Sequence, residues 1–413
     1  MKTHSKSARK EWVMALLLIC STLVCSVAAF GNIPILSTIM DDLSMSLSVG
    51  GMSVSIIYLY MGIFGLGYGV LIQKLGGKHV IIVSLFILAI GSLLHFFITN
   101  IAIYFISRTL IGLGIGLMMP TVGTYIMAVF SEKTRPIMNA IYGAMPLFGL
   151  LAVFGSIVPL YKAFNNSWHS ALGIFGIIFF ILIIVWWKFG SAITNVESNA
   201  VETNEHHLFR KVFKSAEIKS LCILYGLDMW VFSIVSTYLP TYYYKDLGMS
   251  LDHANLVSMI FPIAGIIGGI ICGFWLSSTG RNKPFLTISQ LAKVIGMILV
   301  LVPVTWVSLL GVAIIGFGTS SYMAALYTIP MELKDTTPAK VGAAFALINL
   351  FGFITAFVSP FVGGKLVETT SFNVTFIGCA IAYFVSYLVV VPMKETGPGP
   401  IANRKDSNQT FSN

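Results

Sequence analysis

The sequence contains few charged residues. Only 10% of its 413 residues are charged and 56% are hydrophobic, whereas charged residues make up about a quarter of a soluble domain. This composition excludes a water-soluble globular protein. Apolar stretches of roughly 20 residues, without the polar and apolar alternation of membrane strands, exclude a β-barrel. The length suits about twelve helices of about 21 residues, each able to cross a ~30 Å hydrocarbon core.

Cysteine pairs and enzyme motifs are also missing. The five cysteines fall inside apolar stretches and form no CxxC pair, so they are interpreted as small hydrophobic residues, and no disulfide, metal site or cofactor is predicted. The sequence contains no phosphate-binding loop, histidine ligand cluster or pair of acids facing one cavity, so no enzyme is predicted. Lys and Arg are spread thinly between apolar segments, which argues against nucleic-acid binding.

Charge-poor windows predict twelve membrane-spanning helices in an all-α protein that resides in a lipid bilayer. The predicted spans are residues 12–34, 49–72, 79–98, 101–125, 137–161, 171–190, 219–243, 253–277, 284–303, 306–330, 340–364 and 371–393. The first window is interpreted as a span and not as a cleaved signal peptide, because its apolar run continues from Trp12 to Phe30.

A polar stretch divides these spans into two groups of six. Residues 191–218 are predicted to be a cytoplasmic linker between two six-helix bundles, residues 12–190 and 219–393. The remaining residues, 1–11 and 394–413, are predicted to be cytoplasmic tails.

The basic residues predict the orientation. If the N-terminus lies inside the cell, 20 Lys and Arg residues fall on cytoplasmic edges and only three, Lys162, Lys245 and Lys365, on outer edges. Such a bias follows the positive-inside rule and predicts a multi-pass protein of the cell membrane with both termini cytoplasmic. Arg108 and Lys293 remain, and both lie inside predicted spans.

Five glycines of the first half recur 204 residues later. The pairs are Gly65 and Gly269, Gly69 and Gly273, Gly76 and Gly280, Gly112 and Gly316, and Gly114 and Gly318. About two matches would be expected from the abundance of glycine. The matches lie at the ends of spans two and eight and within spans four and ten. A parallel duplication of six-span units is typical of transporters whose two bundles move around a central site.

The connection between spans two and three contains glycines and basic residues at fixed spacing. They are Gly69, Gln73, Lys74, Gly76 and Lys78, and a weaker copy contains Gly273, Gly280, Arg281 and Lys283. This pattern resembles the gating motif of the major facilitator superfamily of secondary transporters, and the resemblance covers nearly the whole chain. Gln73 occupies the family's acidic position, so an amide that can still accept hydrogen bonds replaces the charge that helps to latch the cytoplasmic side.

Span four carries an arginine and small residues on one helix face. Arg108, Gly112, Gly116 and Pro120 are spaced by four and share this face, with Gly114 nearby. The stretch resembles the superfamily's arginine and glycine motif. An unpaired charge at this depth costs at least ~2.5 kcal/mol, so Arg108 is expected to face water, a buried acid or an anionic substrate. The alternative is an arginine that only joins helices through backbone carbonyls.

Resemblance to the superfamily implies two functional roles for Arg108. The matching arginine contacts the substrate carboxylate in transporters of organic anions and is linked to proton coupling in multidrug exporters. Asp228 and Lys293 are the other deeply placed charges. They are interpreted either as a structural salt bridge or, for Asp228, as a proton carrier.

Four polar or aromatic residues on the central helices are further candidates for contacts with the substrate: Asn32, Tyr142, Trp230 and Asn349. The run Tyr238-Leu-Pro240-Thr-Tyr242, together with Arg108, resembles the anion and organic-acid branches of the superfamily, including its cyanate-permease-like group.

The leading hypothesis is therefore a monomeric secondary transporter that takes up a small organic or inorganic anion by alternating access, with the proton as a candidate coupling ion. The alternatives are a drug or multidrug efflux antiporter and a receptor or scaffold that has lost transport.

Overall fold

The computed structural model describes residues 2–131, 134–191, 205–302, 304–333 and 337–397, and every regular element in these ranges is helical. The α-helices are α1 (Lys2–Phe30), α2 (Leu36–Asp42), α3 (Leu47–Leu75), α4 (Gly77–Leu93), α5 (Ile101–Val129), α6 (Arg135–Ala163), α7 (Trp168–Phe189), α8 (Glu205–Val212), α9 (Ala216–Thr241), α10 (Leu251–Ser258), α11 (Ile260–Thr279), α12 (Lys283–Val300), α13 (Thr305–Ser321), α14 (Met323–Glu332), α15 (Pro338–Thr369) and α16 (Phe372–Val390). Short 3-10 turns occupy Ile33–Ile35 and Leu94–Phe97, and a π-helical turn occupies Tyr242–Asp246.

Twelve helical stretches in the described residues are long and apolar enough to cross a membrane. They are Glu11–Asp42, Leu47–Phe64, Gly77–Phe97, Ile101–Val129, Ile137–Ala163, Trp168–Phe189, Ala216–Asp246, Leu251–Leu276, Lys283–Val300, Thr305–Glu332, Lys340–Thr369 and Phe372–Val390. Their number and order confirm the predicted twelve-span, all-α architecture.

Side-chain caps determine where several of these helices begin. Ser46, Asn100, Ser167 and Ser371 each accept a hydrogen bond from the backbone N–H three residues further on, which lies in the first turn of α3, α5, α7 and α16, respectively. A cap satisfies an amide that has no partner inside its own helix. In the predicted orientation, all four capped ends lie on the outer side.

The chain forms two compact units. Unit 1 contains Met1–Ala200, Ser236–Leu256 and Pro360–Glu368, and unit 2 contains Val201–Val235, Val257–Ser359 and Thr369–Asn413. The end of α9, most of α10 and a segment of α15 therefore pack with the first seven helices. The predicted linker lies partly outside the described residues, at 192–204, and the division at residues 191–218 stays a prediction.

Two of the five repeated glycine pairs, Gly112 with Gly316 and Gly114 with Gly318, form equivalent contacts in the two units. In unit 1, Gly112 of α5 packs on Tyr60 of α3, where an added Cβ would lie 2.9 Å from the ring. Gly114 also lies in α5 but faces α4, since an added Cβ would lie 2.9 Å from the carbonyl oxygen of Ser84. Both distances are too short for a real Cβ, so the helices approach closely because these positions lack a side chain.

In unit 2, the glycines that recur 204 residues later face the corresponding helices. Gly316 of α13 packs on the backbone of Phe261 in α11, and a Cβ at Gly318 would lie 2.6 Å from Cγ of Lys293 in α12. Gly76 and Gly280, which cap the C-termini of α3 and α11, both have positive φ, at 76° and 59°. The contacts thus follow the repeat that the sequence spacing predicted.

Candidate functional site

Arg108 in α5 is fully buried, with 1% of its surface exposed, and its guanidinium binds backbone carbonyls. Nε donates to the oxygen of Ser53 at 2.9 Å, and the two terminal nitrogens donate to Ala28 and Ala29 at 3.1 and 2.6 Å. Ala28 and Ala29 lie in the last turn of α1. The last carbonyls of a helix lack partners in their own helix and carry the negative end of its dipole. Arg108 therefore caps the C-terminus of α1.

A set of buried polar side chains surrounds Arg108, and we call it the Arg108 cluster. Its members are Asn32, Ser53, Ser92, His95, Tyr104, Ser107 and Arg108, all in unit 1. Asn32 Nδ2 donates to the Tyr104 hydroxyl at 3.0 Å, which lies 3.3 Å from Ser53 Oγ. Ser53 Oγ in turn donates to the carbonyl of Gly50 at 2.6 Å. The cluster therefore links the end of α1 to α3 and α5 by hydrogen bonds.

The contacts of Arg108 correspond to the alternative that the sequence left open, in which the arginine joins helices through carbonyls. Among the described residues, no carboxylate pairs with this guanidinium. Asn32 is also 0% exposed, so neither side chain reaches solvent in this conformation.

Asp228 and Lys293 form a salt bridge inside unit 2. Lys293 Nζ of α12 lies 2.7 Å from Asp228 Oδ1 of α9, and their side chains are 0% and 5% exposed. Gln290, one turn before Lys293, donates through Nε2 to the second carboxylate oxygen at 2.8 Å. Both oxygens of Asp228 are therefore satisfied, as a buried charge requires. Of the two interpretations from the sequence, the structure shows the pair.

Aromatic rings enclose the ammonium of Lys293. Its Nζ lies 4.2 Å from the ring centroid of Tyr322 and 5.0 Å from that of Tyr383, distances at which the faces of the rings attract a cation. The Asp228–Lys293 pair thus connects α9 and α12 to residues at the end of α13 and in α16.

The remaining substrate candidates are half-buried and lie in both units. Tyr142 of α6, in unit 1, donates through its hydroxyl to the carbonyl of Met119 at 2.7 Å. Trp230 of α9 and Asn349 of α15 both lie in unit 2. Each of the three therefore keeps part of its surface exposed, in contrast to Arg108, Asp228 and Asn32.

The profile of the Major Facilitator Superfamily matches residues 18–334 and 221–413, which together cover nearly the whole chain. The chain belongs to the major facilitator superfamily. Its twelve spans, the glycine repeat and the arginine of span four are the features of the sequence that resembled this family.

Two relatives and one solved structure are similar to this chain over most of its length. "Probable galactarate/D-glucarate transporter" of Escherichia coli (strain K12) is 26% identical over 387 residues, with 81% of this chain and 83% of the relative covered. "Cyanate transport protein" of the same strain is 23% identical over 337 residues, with 81% and 84% covered. The crystal structure of a bacterial homologue of the human lysosomal transporter Spinster, inward-facing and unoccupied, has a TM-score of 0.76 at 11% identity and covers 92% of this chain and 96% of its own.

The superfamily's gating motif is described in part. Gly76 supplies the turn between α3 and α4, and Lys78 donates to the carbonyl of Trp187 at 2.8 Å, while Lys74 is exposed. The surroundings of Gly69 and the side chain of Gln73 lie outside the described part of the chain.

The second copy of the motif leads to a polar network that the sequence did not predict. Gly280 ends α11, Arg281 is exposed, and the backbone N–H of Lys283 donates to Glu395 Oε2 at 3.2 Å. Asn282 between them donates from its backbone to Glu395 at 2.8 Å and from its amide to Glu332. Gly273 has open space around it. The carboxylate of Glu395 thus lies at the N-terminus of α12, where it satisfies free amides.

All three lysines predicted to lie outside are paired with acids in unit 1. Lys162 binds Asp252 at 2.6 Å, Lys245 binds Asp41 at 3.2 Å, and Lys365 binds Glu368 at 3.2 Å. These exposed pairs contribute little stability, on the order of 0–1 kcal/mol each. The acids do neutralise the three lysines on the predicted outer side. The excess of positive charge on the predicted cytoplasmic side is therefore larger than the count of lysines and arginines alone indicates.

The sequence identified the buried charges but not the side chains that lie next to them. His95 and Ser92 near Arg108, and Gln290 near Asp228, were not singled out. Two signals were present: His95 is a polar residue at the end of an apolar span, and Gln290 precedes Lys293 by three residues, so that both share a face of α12.

Proposed function

We propose that this superfamily member takes up a small organic or inorganic anion across the cell membrane by alternating access, in symport with protons and as a monomer. Both termini are proposed to face the cytoplasm, in accordance with the distribution of Lys and Arg along the sequence.

The observation that carries this proposal is the substrate class of the two relatives. Galactarate, D-glucarate and cyanate are all anions, and both relatives match 81% of this chain. The similarity therefore extends over both halves of the chain and is not confined to one shared segment.

The charges placed deep in the spans support the same substrate class. Arg108 and Lys293 are positive and only Asp228 is negative, so the deep charges of the described residues sum to one positive charge. In a medium of low dielectric constant, a net positive charge attracts an anion over several ångströms. It opposes the entry of a cationic drug, the substrate expected of the alternative exporter.

The contacts within each unit suggest different roles for the candidates. Arg108 and Asp228 are buried and bind protein partners, so we assign them to the positioning of helices. Trp230 and Asn349 keep exposed surface and both lie in unit 2, so we assign the direct contacts with the anion to them. An indole N–H and a carboxamide can each donate a hydrogen bond to a carboxylate, whereas the hydroxyl proton of Tyr142 is already donated to Met119.

Uptake into proteoliposomes tests the proposal. Purified protein would be reconstituted, and the uptake of labelled D-glucarate, cyanate and a cationic dye would be measured with and without an inward proton gradient. We expect saturable uptake of an anion that the gradient accelerates. Anion uptake that is insensitive to the gradient would remove the proton from the proposal, and uptake of the dye alone would contradict it.

The variant Asn349→Ala tests the assignment of direct contacts. We expect it to raise the KM for the transported anion at least several-fold without lowering the melting temperature. The matched control is Gly342→Ala on the same helix, at a position with open space around it, which should leave the KM unchanged. An unchanged KM in Asn349→Ala would contradict the assignment.

A further inference from the structure

A small cavity lies beside Arg108 inside unit 1. Its volume is about 10 Å³, which is the space that one water molecule needs. Three polar residues line it, Ser92, His95 and Arg108, and the remaining wall includes Ile111, Leu172 and Phe175. Ser92, His95 and Arg108 are 1%, 2% and 1% exposed, so the polar part of the cavity wall is buried.

The hydrogen bonds of His95 determine which ring nitrogen carries its proton. Nδ1 lies 3.0 Å from the carbonyl of Ser92 and 3.2 Å from the hydroxyl oxygen of Ser107. Ser107 donates its only proton to the carbonyl of Gly91 at 2.6 Å, so towards Nδ1 it can only accept. Both neighbours of Nδ1 are therefore acceptors, and Nδ1 must carry the proton.

The second ring nitrogen, Nε2, is then an acceptor in the neutral imidazole. It is buried and has no hydrogen-bond partner among the described residues, and the same is true of Ser92 Oγ. Two such groups in residues that line one cavity are destabilising unless something inside the cavity binds them, because a buried polar atom without a partner has lost its water and gained no hydrogen bond.

Arg108 also lines this cavity and has N–H groups beyond those that bind carbonyls. Its three hydrogen bonds to carbonyls use three N–H groups, and a guanidinium has five. The occupant of the cavity must therefore donate to His95 Nε2 and also accept from donors. A water molecule does both. Chloride only accepts, and a cation is repelled by the guanidinium.

We propose that this cavity is the binding site of a single structural water that bridges His95, Ser92 and Arg108. The water donates to Nε2 and accepts from Arg108 or Ser92. It completes the hydrogen bonding of the guanidinium that caps α1, and it makes His95 and Ser92 positioning residues for Arg108.

Solid-state NMR of the wild-type protein in lipid bilayers tests the proposal directly. Leu94-His95 is the only Leu-His dipeptide in the sequence. Protein labelled with ¹³C at Leu carbonyls and with ¹⁵N and ¹³C in His therefore gives one amide signal that identifies His95 without a mutation. We expect the side-chain shifts of a neutral ring protonated at Nδ1, and magnetisation transfer from water protons to the ring.

Three other outcomes would overturn the proposal. A ring protonated at Nε2 would leave no acceptor for the water, and a doubly protonated ring would indicate an anion in its place. A ring protonated at Nδ1 that receives no transfer from water would show that the cavity is dry.

Paired serine variants add a readout that a general loss of stability would not reproduce. Ser92→Ala removes one partner of the water, and we expect the transfer from water to His95 to fall at least several-fold. Ser84→Ala on the same helix is the matched control, because the Ser84 hydroxyl bonds to the carbonyl of Val80 within α4 at 2.8 Å, away from the cavity. Equal transfer in both variants would contradict the role of Ser92.

Discussion

Arg108 and Lys293 are buried in two different ways. Among the described residues, Arg108 bonds to three backbone carbonyls, and two of them belong to the last turn of α1. Lys293 has a full counter-charge in Asp228 and the faces of two tyrosines. The planar guanidinium can donate to several carbonyls at once, whereas an ammonium is a compact charge that an acid neutralises well.

This difference predicts the effect of Arg108→Lys. A lysine keeps the charge, but its single Nζ cannot replace a fork that reaches Ser53 in α3 and Ala28 and Ala29 in α1. We expect the variant to lose at least about 2 kcal/mol of stability, because bonds from a charged donor contribute ~1.5–3 kcal/mol each. Thermal unfolding in detergent measures it. A lysine variant with wild-type melting temperature and transport would show that the charge alone matters.

Asp228→Asn leaves Lys293 buried without its counter-charge. We expect a destabilisation of about 3–5 kcal/mol, the usual cost of breaking a buried pair from one side. The double variant Asp228→Asn with Lys293→Met removes both charges, and we expect it to unfold at a higher temperature than the single variant. A double variant no more stable than Asp228→Asn would mean that the pair is not the source of the effect.

The same double variant separates structure from proton transport. If the pair is purely structural, the folded double variant should retain acceleration of anion uptake by a proton gradient. Loss of that acceleration with wild-type stability would assign the proton to Asp228.

At the level of single residues, the sequence identified the buried charges because charge is scarce in the spans. Their partners could not be predicted, since the carbonyls of Ala28 and Ala29 carry no signature in the sequence. Their availability depends on where α1 ends, and the predicted end of that span, residue 34, lies four residues beyond the observed end of α1 at Phe30.

Among the elements, α3, α9 and α15 approach one another closely within unit 1. The Tyr238 hydroxyl of α9 lies 3.0 Å from the carbonyl oxygen of Leu47 and 2.6 Å from that of Pro360. Added Cβ atoms at Gly51 and Gly364 would overlap this hydroxyl. The backbone N–H of Ser48 donates to Glu368 at 2.7 Å, so an acid of α15 satisfies an amide of the first turn of α3.

Gly364→Ala tests this crossing. A Cβ there would also lie 2.7 Å from the backbone nitrogen of Ser48, which cannot move as a flexible side chain could. We expect a loss of about 1–3 kcal/mol, the usual cost of overpacking. Gly342→Ala in the same helix has no neighbour within 4 Å and should be neutral or slightly stabilising. Equal melting temperatures of the two variants would contradict the packing argument.

The tyrosine run at the end of span seven shows how an element can be predicted without its role. The sequence singled out Tyr238-Leu-Pro240-Thr-Tyr242 through its resemblance to the anion and organic-acid branches of the superfamily. In the structure, the Tyr238 hydroxyl lies within hydrogen-bonding distance of two carbonyls of other helices. Those contacts require glycines more than 100 positions away in the chain, because a Cβ there would overlap the hydroxyl.

Over the whole molecule, the fold was predictable because lipid imposes helix length and the repeat marks the architecture. The repeat also marks where the two units differ. The positions 204 residues from Arg108, Asp228 and Lys293 are Val312, Val24 and Ala89. Each deep charge is therefore specific to one half of the chain, while the glycines that position the helices are shared.

The proposed topology predicts which edges reach the outside of the cell. A cysteine introduced at Asn166, between α6 and α7, should react with a membrane-impermeant maleimide in intact cells. A cysteine at Lys188, near the end of α7, should react only after the cells are opened. The reverse pattern would place both termini outside and contradict the orientation.

Counterflow exchange tests the central claim, anion transport, most directly, because it needs neither a coupling ion nor a known direction of transport. Proteoliposomes loaded with unlabelled D-glucarate, cyanate or choline would be diluted into trace amounts of the same labelled compound. The account predicts transient accumulation of label for at least one anion and none for choline, with both signals absent from protein-free vesicles. Accumulation of choline without that of either anion would contradict it.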